Sequence, residues 1–304
     1  MSNTLRFAFA GTGTFAVPVL QSLLNIGKPT AVISQHKHSR DISPVATTAQ
    51  ENDLELFTPS HISEVTQILA SIDLLIVADY GQILPTEALQ APRLGALNIH
   101  PSLLPRYRGP SPIQATIKNG DTKTGVTIII MDEQMDHGPI LAQTLYQLSG
   151  HETAPELEAV LAKIGAELLI NSLFPYLNGA IIAHTQDDAN ATFTKLLTRS
   201  DGELDWTKSA IEIERFVRAY QPWPGIWFET MLRGKQCRIK IMSAMPWTND
   251  VPLFPTGTLF WSNNQLGLVC VDGALELTSL QLEGGRKLAG NAFYRGYHDT
   301  IHTA

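Results

Sequence analysis

The chain has 304 residues, of which 44% are hydrophobic and 17% charged, and its formal net charge is −7 at pH 7. This composition is typical of a soluble globular protein with two domains, and the negative charge argues against a generally basic nucleic-acid-binding protein, though not against a local basic face. No apolar run approaches the roughly 20 residues of a membrane span, and the N-terminus lacks the features of a secretory signal. Only two cysteines, Cys237 and Cys270, are present, as expected in a reducing cytoplasm.

Short apolar runs alternate with amphipathic segments in the first half of the chain. The pattern predicts strands at 5–10, 30–34, 54–57, 73–78 and 95–99, separated by helices at 14–26, 44–52, 61–70 and 85–90. Two further strands are predicted within 125–148, and a helix over 153–178 follows them. This alternation predicts a Rossmann-like, doubly wound parallel sheet with helices on both faces, in a domain that comprises residues 1–188.

A glycine-rich turn follows the first predicted strand. The stretch AGTGTFAVPVL, residues 10–20, places Gly11, Gly13 and Ala16 at the spacing of a dinucleotide-binding turn. The complete fingerprint also needs an acidic residue about 20 residues later to hold the ribose, and the second strand ends in Ser34-Gln35 instead. We therefore interpret the glycines first as structural, and keep dinucleotide binding as the weaker alternative.

A second domain is predicted over residues 208–304, after a polar and weakly periodic linker at 189–207. It begins with the helical pattern SAIEIERFVRAY, which Pro222 ends. Five or six short strands follow from residue 226, broken by Gly, Asn and Pro. Short strands with such breaks suggest a small barrel or sandwich, and we predict an OB-like β-barrel.

The most informative segment for chemistry is LGALNIHPSLLPRYRGPSPIQ, residues 94–114. In an open parallel sheet, ligands bind at the carboxyl ends of the strands. The strand at 95–99 delivers Asn98 and His100 to that edge, with their side chains on the same side. An amide donor beside an imidazole is suited to an oxyanion, although a strand-end histidine satisfied by water is the simpler interpretation.

A second segment with titratable residues is MDEQMDHGPIL, residues 131–141, which places Asp132 and Asp136 in a loop between two apolar runs. A carboxylate that reaches the same sheet edge could act on His100 or relay a proton through water. Aspartate is also common in ordinary turns, and Gly138-Pro139 is turn chemistry. The residues alone leave both interpretations open.

The segments Asn98-Ile99-His100 and Ser102-Leu103-Leu104-Pro105, followed by Asp136, resemble the signature of the 10-formyltetrahydrofolate-dependent formyltransferases. The segments GQILP, RYRGPSPIQ and NGDTKTGVTI and the opening turn resemble that family in order and spacing. The stretches DGELDWTKSAIEIERFVRAYQPWPGIW and LQLEGGRKL resemble in particular the members that act on methionyl-tRNA. The resemblance therefore covers nearly the whole chain.

The resemblance implies an enzyme that transfers the formyl group of 10-formyltetrahydrofolate to the α-amino group of initiator methionyl-tRNA, for translation initiation. Asn98 and His100 match the donors to the oxyanion of a tetrahedral intermediate, and Asp136 matches the residue that tunes His100 and handles the proton through water. The positions that match the cosubstrate site are Tyr80, Gly81, Ile83, Leu84, Ser102, Leu103, Leu104 and Pro105. No metal is implied, and we expect a cytoplasmic monomer without membrane contact.

Three features depart from the family pattern. Gly11-Thr12-Gly13-Thr14 stands where the family usually has Gly-Thr-Pro followed by an acid, and Asp79 replaces a small apolar residue before Tyr80. The loop at 35–47 is shorter than the strongly basic loop usual in the members that act on tRNA, which should weaken phosphate contacts. Candidate tRNA contacts are Lys37, Arg40, Lys208, Arg286 and Lys287, with plain solvated surface as the alternative for each.

Competing functions use the same residues in other ways. A sugar-amine N-formyltransferase would use the same three site residues on a nucleotide-linked amino sugar. Glycinamide ribonucleotide transformylase resembles only the N-terminal domain. A non-enzymatic folate- or nucleotide-binding regulator would have a degenerate site, and the intact trio of Asn98, His100 and Asp136 argues against it.

Overall fold

The computed structural model describes residues 5–35 and 42–303 of the chain. Within those residues the chain forms two compact units, each built from more than one stretch of sequence. The first draws on Met1–Pro112, Thr122–Leu148 and Glu156–Lys195, and the second on Ile113–Asp121, Ser149–Pro155 and Leu196–Ala304. The division into domains at 1–188 and 208–304 with a linker at 189–207 stays a prediction.

The first unit is built on one β-sheet, and the apolar runs of the sequence predicted its strands. Its strands in the described part of the chain are β1 Phe7–Gly11, β2 Ala31–Ile33, β3 Leu56–Phe57, β4 Leu74–Ala78, β5 Ala96–His100, β6 Lys123–Ile130 and β7 Ile140–Gln147. They are ordered β3-β2-β1-β4-β5-β6-β7. Strands β1 to β5 are parallel, whereas β6 and β7 add antiparallel at one edge. The Rossmann-like parallel sheet is thus confirmed, with an antiparallel edge that the alternation did not reveal.

The helices in this part of the chain are α1 Ala16–Leu24, α2 Pro44–Glu51, α3 Thr66–Leu69, α4 Thr86–Gln90, α5 Pro112–Lys118 and α6 Ala154–Leu177, with a 3₁₀ turn at Ile62–Val65 before α3. Nearly all of α5 belongs to the second unit. Strands β1 and β4 are buried along their whole length, as expected for central parallel strands covered on both faces. One apolar cluster joins residues such as Ile33, Leu75 and Leu69 beside the sheet. Burial of this apolar surface is the main force that holds the strand ends in place.

The second unit has a helix followed by mostly antiparallel strands. Its elements are α7 Ala210–Ala219, β8 Ile226–Leu232, β9 Lys235–Pro246, β10 Leu259–Ser262, β11 Gln265–Val269, β12 Ala274–Leu282, β13 Lys287–Ala289, α8 Gly290–Tyr297 and β14 His302–Thr303. Among the described residues the strand order is β14-β10-β11-β12-β9-β8, with β13 paired to β12. This arrangement of short strands agrees with the predicted small C-terminal β-domain. Helix α8 was not predicted.

The start of α7 illustrates how local sequence sets an element. Ser209 caps the helix, since its hydroxyl accepts a hydrogen bond from the Glu212 amide while the Glu212 carboxylate accepts from the Ser209 amide. Such a reciprocal capping box satisfies two amides that the first helical turn leaves without a partner.

None of the helices formed by residues 5–35 and 42–303 combines the length and hydropathy that crossing a bilayer requires.

Candidate active site

The carboxyl end of β5 carries the first two candidate site residues. Asn98 and His100 are two residues apart on this strand, so their side chains leave the same face of the sheet. The third candidate, Asp136, lies in the loop between β6 and β7, where its backbone adopts a left-handed φ of 52°. The structure brings the three side chains together at one edge of the sheet.

Asp136 is the centre of this cluster. The Asn98 amide donates to Asp136 Oδ1 at 3.1 Å, and the Gly109 backbone amide donates to Asp136 Oδ2 at 2.8 Å. His100 Nδ1 lies 3.5 Å from Asp136 Oδ2. One carboxylate thus contacts an amide side chain, an imidazole and a backbone N–H group.

The two ring nitrogens of His100 are held differently. Its Nε2 lies 2.9 Å from the Tyr107 carbonyl oxygen, which can only accept, so Nε2 carries a hydrogen and donates. The 3.5 Å separation of Nδ1 from Asp136 is longer than a good hydrogen bond. His100 is only 5% exposed. Its ring is therefore held at Nε2, while Nδ1 faces the Asp136 carboxylate without a close hydrogen bond.

The other aspartate of the loop has a different partner. Asp132 Oδ2 lies 2.6 Å from His137 Nδ1, and Asp132 Oδ1 accepts a hydrogen bond from the Gln134 amide. Asp132 therefore braces the loop, while Asp136 faces Asn98 and His100. Residue pattern alone had left these two carboxylates undistinguished, and only the family resemblance had selected Asp136.

The candidate cosubstrate loop follows β4, next to β5 in the sheet. The Tyr80 side chain is 3% exposed and belongs to the apolar cluster that includes Ile62 and Leu84. Burial raises the pKa of the Tyr80 hydroxyl to about 12, and that hydroxyl has no hydrogen-bond partner among the described residues. The loop therefore presents the exposed Gly81 rather than Tyr80, whose carbonyl already accepts a hydrogen bond from Thr12 Oγ1 at 2.9 Å.

The same loop also presents an apolar side chain. Ile83 is 79% exposed, whereas the next residue, Leu84, is buried. Ile83 thus leaves an apolar surface on the loop that follows β4, the strand next to β5.

The turn that contains Ser102, Leu103, Leu104 and Pro105 is held by hydrogen bonds to β6. Thr127 Oγ1 donates to the Ser102 carbonyl at 2.6 Å and accepts from the Leu104 amide at 3.1 Å. Ser102 Oγ donates to the Arg106 carbonyl at 2.6 Å. The turn is thus a fixed wall beside His100, and Leu104 and Ser102 are both buried in it.

Two of the departures from the family pattern meet in space at the opening turn. A Cβ atom at Gly13 would overlap the carboxylate of Asp79. Asp79 itself has a left-handed φ of 44°, and its carbonyl accepts hydrogen bonds from the amides of Thr12 and Gly13 at 2.9 and 3.3 Å. A carboxylate therefore occupies the place before α1 where a dinucleotide phosphate would bind, which disfavours the dinucleotide alternative.

The contact predicts that substitutions at these two positions are coupled. We expect Gly13→Ala to lower the free energy of unfolding by about 0.5–1 kcal/mol, because the exposed Asp79 carboxylate must rotate away from the new Cβ atom, and to cost less in an Asp79→Gly background. The control is Gly296→Ala in α8, where a Cβ would meet nothing within 4 Å. Chemical denaturation of the four variants of the cycle measures the coupling, and equal costs of Gly13→Ala in both backgrounds would contradict it.

A segment that the sequence analysis assigned no function lies behind the trio. Residues 192–194 run beside residues 107–109, where the Arg108 amide donates to the Thr192 carbonyl at 2.9 Å and the Thr194 amide donates to the Arg108 carbonyl at 2.8 Å. Nearby, Gln186 and Asp188 contact the Arg108 guanidinium. No local pattern signals this return of a polar segment to the sheet edge, because the pairing depends on the tertiary path.

The candidate tRNA contacts are placed in different surroundings. Lys37 and Arg40 lie outside the described residues. Lys208 Nζ lies 3.4 Å from Glu212 Oε1 and forms an ion pair with it. Arg286 and Lys287 are exposed and form no ion pair with another described residue.

Across residues 5–35 and 42–303, no group of three or more His, Cys, Asp and Glu side chains is arranged to hold a metal ion.

The sequence and the fold were compared with known proteins. The family model described as Formyl transferase matches residues 5–173, and the model described as Formyl transferase, C-terminal domain, matches residues 196–298. A solved N-formyltransferase from Helicobacter canadensis, in complex with folinic acid and dTDP-3-aminofucose, has a TM-score of 0.66 at 18% identity and covers 93% of this chain and 100% of that one. A HypX variant from Aquifex aeolicus has a TM-score of 0.68 at 16% identity, covering 99% of this chain and 51% of that one. At these identities the structures show the fold alone.

The sequence relatives are much closer. A methionyl-tRNA formyltransferase from Roseiflexus castenholzii is 41% identical over 305 residues, which cover 96% of each chain. One from Bartonella henselae is 36% identical over 306 residues, covering 97% of this chain and 98% of that one. Identity at this level extends over both units, so the chain belongs to the methionyl-tRNA formyltransferase family of the formyl transferases.

Proposed function

We propose that this protein transfers the formyl group of 10-formyltetrahydrofolate to the α-amino group of initiator methionyl-tRNA. The observation that carries the proposal is the convergence of Asn98, His100 and Asp136 beside the Tyr80–Leu84 loop and the Ser102–Pro105 turn. The full-length likeness to methionyl-tRNA formyltransferases supports the choice of acceptor.

The reaction brings the acceptor amine, donors to the formyl oxygen and a base together at the formyl carbon. The free amine of the acceptor attacks the formyl carbon, the bond from that carbon to the folate nitrogen breaks, and the amine proton passes to the leaving nitrogen. The formyl oxygen carries negative charge while the carbon is tetrahedral, so preorganised donors lower the barrier. A base within reach of the attacking amine removes its proton.

The geometry supports a role for each residue. Asn98 uses one amide hydrogen on Asp136 at 3.1 Å, which leaves the second hydrogen of the same amide for the oxyanion. His100 is anchored through Nε2, so Nδ1 is the ring nitrogen left to face the substrate; both nitrogens of an imidazolium donate, and in that form Nδ1–H can bind the oxyanion. Asp136 lies between them and can accept the proton of the amine, directly or through water.

The cosubstrate site fits the same picture. The exposed backbone of Gly81 offers hydrogen-bonding groups to the pterin edge, and Ile83 offers an apolar surface to its face. The Ser102–Pro105 turn forms the neighbouring wall. 10-Formyltetrahydrofolate brings an activated formyl group, so the residues of the chain need only bind, orient and move a proton.

The acceptor decides between this function and formylation of a nucleotide-linked amino sugar. Purified protein should be incubated with 10-formyltetrahydrofolate and either methionyl-initiator tRNA or a dTDP-amino sugar, and the products identified by mass spectrometry. We expect formylmethionyl-tRNA. Formylation of the sugar nucleotide without formylation of the charged tRNA would overturn the proposal.

Contact with tRNA phosphates is proposed for Arg286, Lys287 and Lys208, and for Lys37 and Arg40 in the short loop. We expect the double variant Arg286→Ala, Lys287→Ala to have a higher Kd for tRNA. We also expect the slope of log Kd against log salt concentration to fall by about one for each lost phosphate contact. Filter binding at several salt concentrations measures both. Arg233→Gln is the matched control, because Asp299 already engages that guanidinium at 3.0 Å, and an unchanged slope in the double variant would remove these two contacts from the interface.

We further propose that the protein acts in the cytoplasm as a monomer. Its partners would then be the charged tRNA and the folate cosubstrate. Light scattering of the purified protein during gel filtration tests the oligomeric state, and a dimeric mass would contradict it.

A further inference from the structure

Gln186 lies directly behind the loop that carries Asp136. Its amide nitrogen donates to the carbonyl oxygens of Asp136 and Gly138, both at 2.8 Å. Its carbonyl oxygen accepts from Nε and Nη2 of Arg108 at 3.1 and 2.9 Å. Gln186 is 7% exposed and Arg108 is 4% exposed, so water cannot easily replace these bonds.

The loop needs this support because its own backbone is not regular. Asp136 adopts a left-handed φ of 52°, a region that residues with a side chain rarely occupy. At Gly138 a Cβ would overlap the Ile130 carbonyl, so the chain there passes very close to β6. The two hydrogen bonds from Gln186 fix the carbonyls on either side of His137, and they thereby hold the conformation that aims Asp136 at Asn98 and His100.

The partner of Gln186 belongs to the other wall of the same site. The Tyr107 carbonyl accepts the hydrogen bond of His100 Nε2, and the Gly109 amide donates to Asp136 Oδ2. Arg108, between them, sends its guanidinium to Gln186 and to Asp188 Oδ1 at 2.7 Å. Backbone groups of Tyr107 and Gly109, on either side of Arg108, thus orient His100 and Asp136. The Arg108 side chain holds Gln186, which in turn holds the backbone of Asp136.

We infer that Gln186 is a positioning residue for formyl transfer, which links the buried Arg108 guanidinium to the backbone of Asp136 and so sets the direction of the Asp136 carboxylate. The catalytic part of this inference rests on the proposed function. The alternative is that Gln186 only satisfies the buried charge of Arg108 and does nothing for the loop.

Replacing Gln186 with glutamate separates these two roles. A carboxylate still accepts from Arg108, and with greater strength, because the hydrogen bond joins opposite charges. It has no hydrogen to donate to the Asp136 and Gly138 carbonyls, and it places negative charge beside them. A residue that only satisfies Arg108 would therefore tolerate Gln186→Glu, whereas a positioning residue would not.

We expect Gln186→Glu to lower kcat at least tenfold, which corresponds to about 1.4 kcal/mol, while KM for 10-formyltetrahydrofolate stays within twofold. We also expect faster hydrogen exchange at the Gly109 amide, followed by NMR, because that amide loses a well-placed Asp136 acceptor. The matched control is Gln147→Glu, an exposed glutamine whose amide donates to the Thr122 carbonyl at 2.6 Å, and it should leave kcat and Gly109 exchange unchanged.

Wild-type kcat with unchanged Gly109 exchange in Gln186→Glu would overturn the inference, and so would a loss of kcat without any change at Gly109. If Gln186→Glu does not fold, Arg108→Met combined with Gln186→Met separates the roles instead, because it removes the buried charge together with its acceptor: a glutamine that only satisfies Arg108 predicts wild-type kcat and Gly109 exchange, and a positioning residue predicts the same losses. Because amide exchange needs no substrate, it decides the positioning role even if the wild-type protein fails to formylate methionyl-tRNA, which is the result that would overturn the proposed function instead.

Discussion

Replacing His100 with alanine is expected to lower kcat by about 10²- to 10⁴-fold, the usual contribution of a positioned acid–base group. The ring is buried and anchored by the Tyr107 carbonyl, so its Nδ1 atom is held 3.5 Å from Asp136, in the cluster to which formyl transfer is assigned in the proposed function. The change also leaves that carbonyl without its donor, at a cost of roughly 1–3 kcal/mol of folding stability. Single-turnover formylation of methionyl-tRNA measures the effect.

Loss of stability must be separated from loss of chemistry in this variant. Folded protein can be counted by titration with folinic acid, a stable formyl-folate, and the rate expressed for each binding-competent molecule. The control is His151→Ala, because His151 is exposed and its backbone amide, not its ring, donates to Ser149 Oγ at 3.3 Å, with no ring partner among residues 5–35 and 42–303. A rate for His100→Ala equal to that of His151→Ala would remove His100 from the mechanism.

Replacing Asp136 with asparagine is expected to lower kcat at least 10²-fold while the affinity for the folate cosubstrate changes little. The substitution preserves volume but removes the negative charge and one of the two oxygens that accept from Asn98 and Gly109. The acceptor amine then loses the base that takes its proton. The measurement is kcat against KM for both substrates.

Asp132→Asn is the matched control, four residues earlier in the same loop. Asp132 contacts His137 and the Gln134 amide rather than Asn98 or His100, so we expect kcat to stay within about threefold of wild type. The opposite order of effects, a large loss for Asp132→Asn and a small one for Asp136→Asn, would mean that the wrong carboxylate has been assigned.

The strands of the first unit could be predicted well because they are continuous apolar runs between turn residues. Strand β4, for example, is predicted at 73–78 and observed at Leu74–Ala78. The joint placement of Asn98 and His100 also follows from sequence, because residues two apart on a strand share a face. Helix α8 was not foreseen, since it begins at Gly290 and includes Gly296, and glycine is a poor helix former.

The direction of side chains in loops could not be predicted. Asp132 and Asp136 occupy the same turn-rich stretch, and only the left-handed backbone at Asp136 turns its carboxylate to the strand end. Tyr80 stands at the right position for a cosubstrate contact, yet its ring packs into the core, because a motif fixes a residue's place in the chain and not its rotamer. The contact between Gly13 and Asp79 links residues 66 positions apart, and nothing local announces it.

The support behind the site was equally hidden. Gln186 is 50 residues from Asp136 in sequence and lies in a polar stretch without periodicity. Its importance depends on a tertiary path that brings residues 192–194 beside residues 107–109. Sequence patterns report elements whose burial repeats regularly, and a single buried amide has no such pattern.

A double-substitution cycle with His100→Ala and Asp136→Asn tests most directly whether the clustered side chains act as one formyl-transfer site. Residues that act as a unit give non-additive losses, because removal of one already disables the step that the other serves. We predict that the double variant forms formylmethionyl-tRNA about as slowly as the worse single variant. Losses that multiply in full would contradict the account, because they would mean that His100 and Asp136 contribute independently.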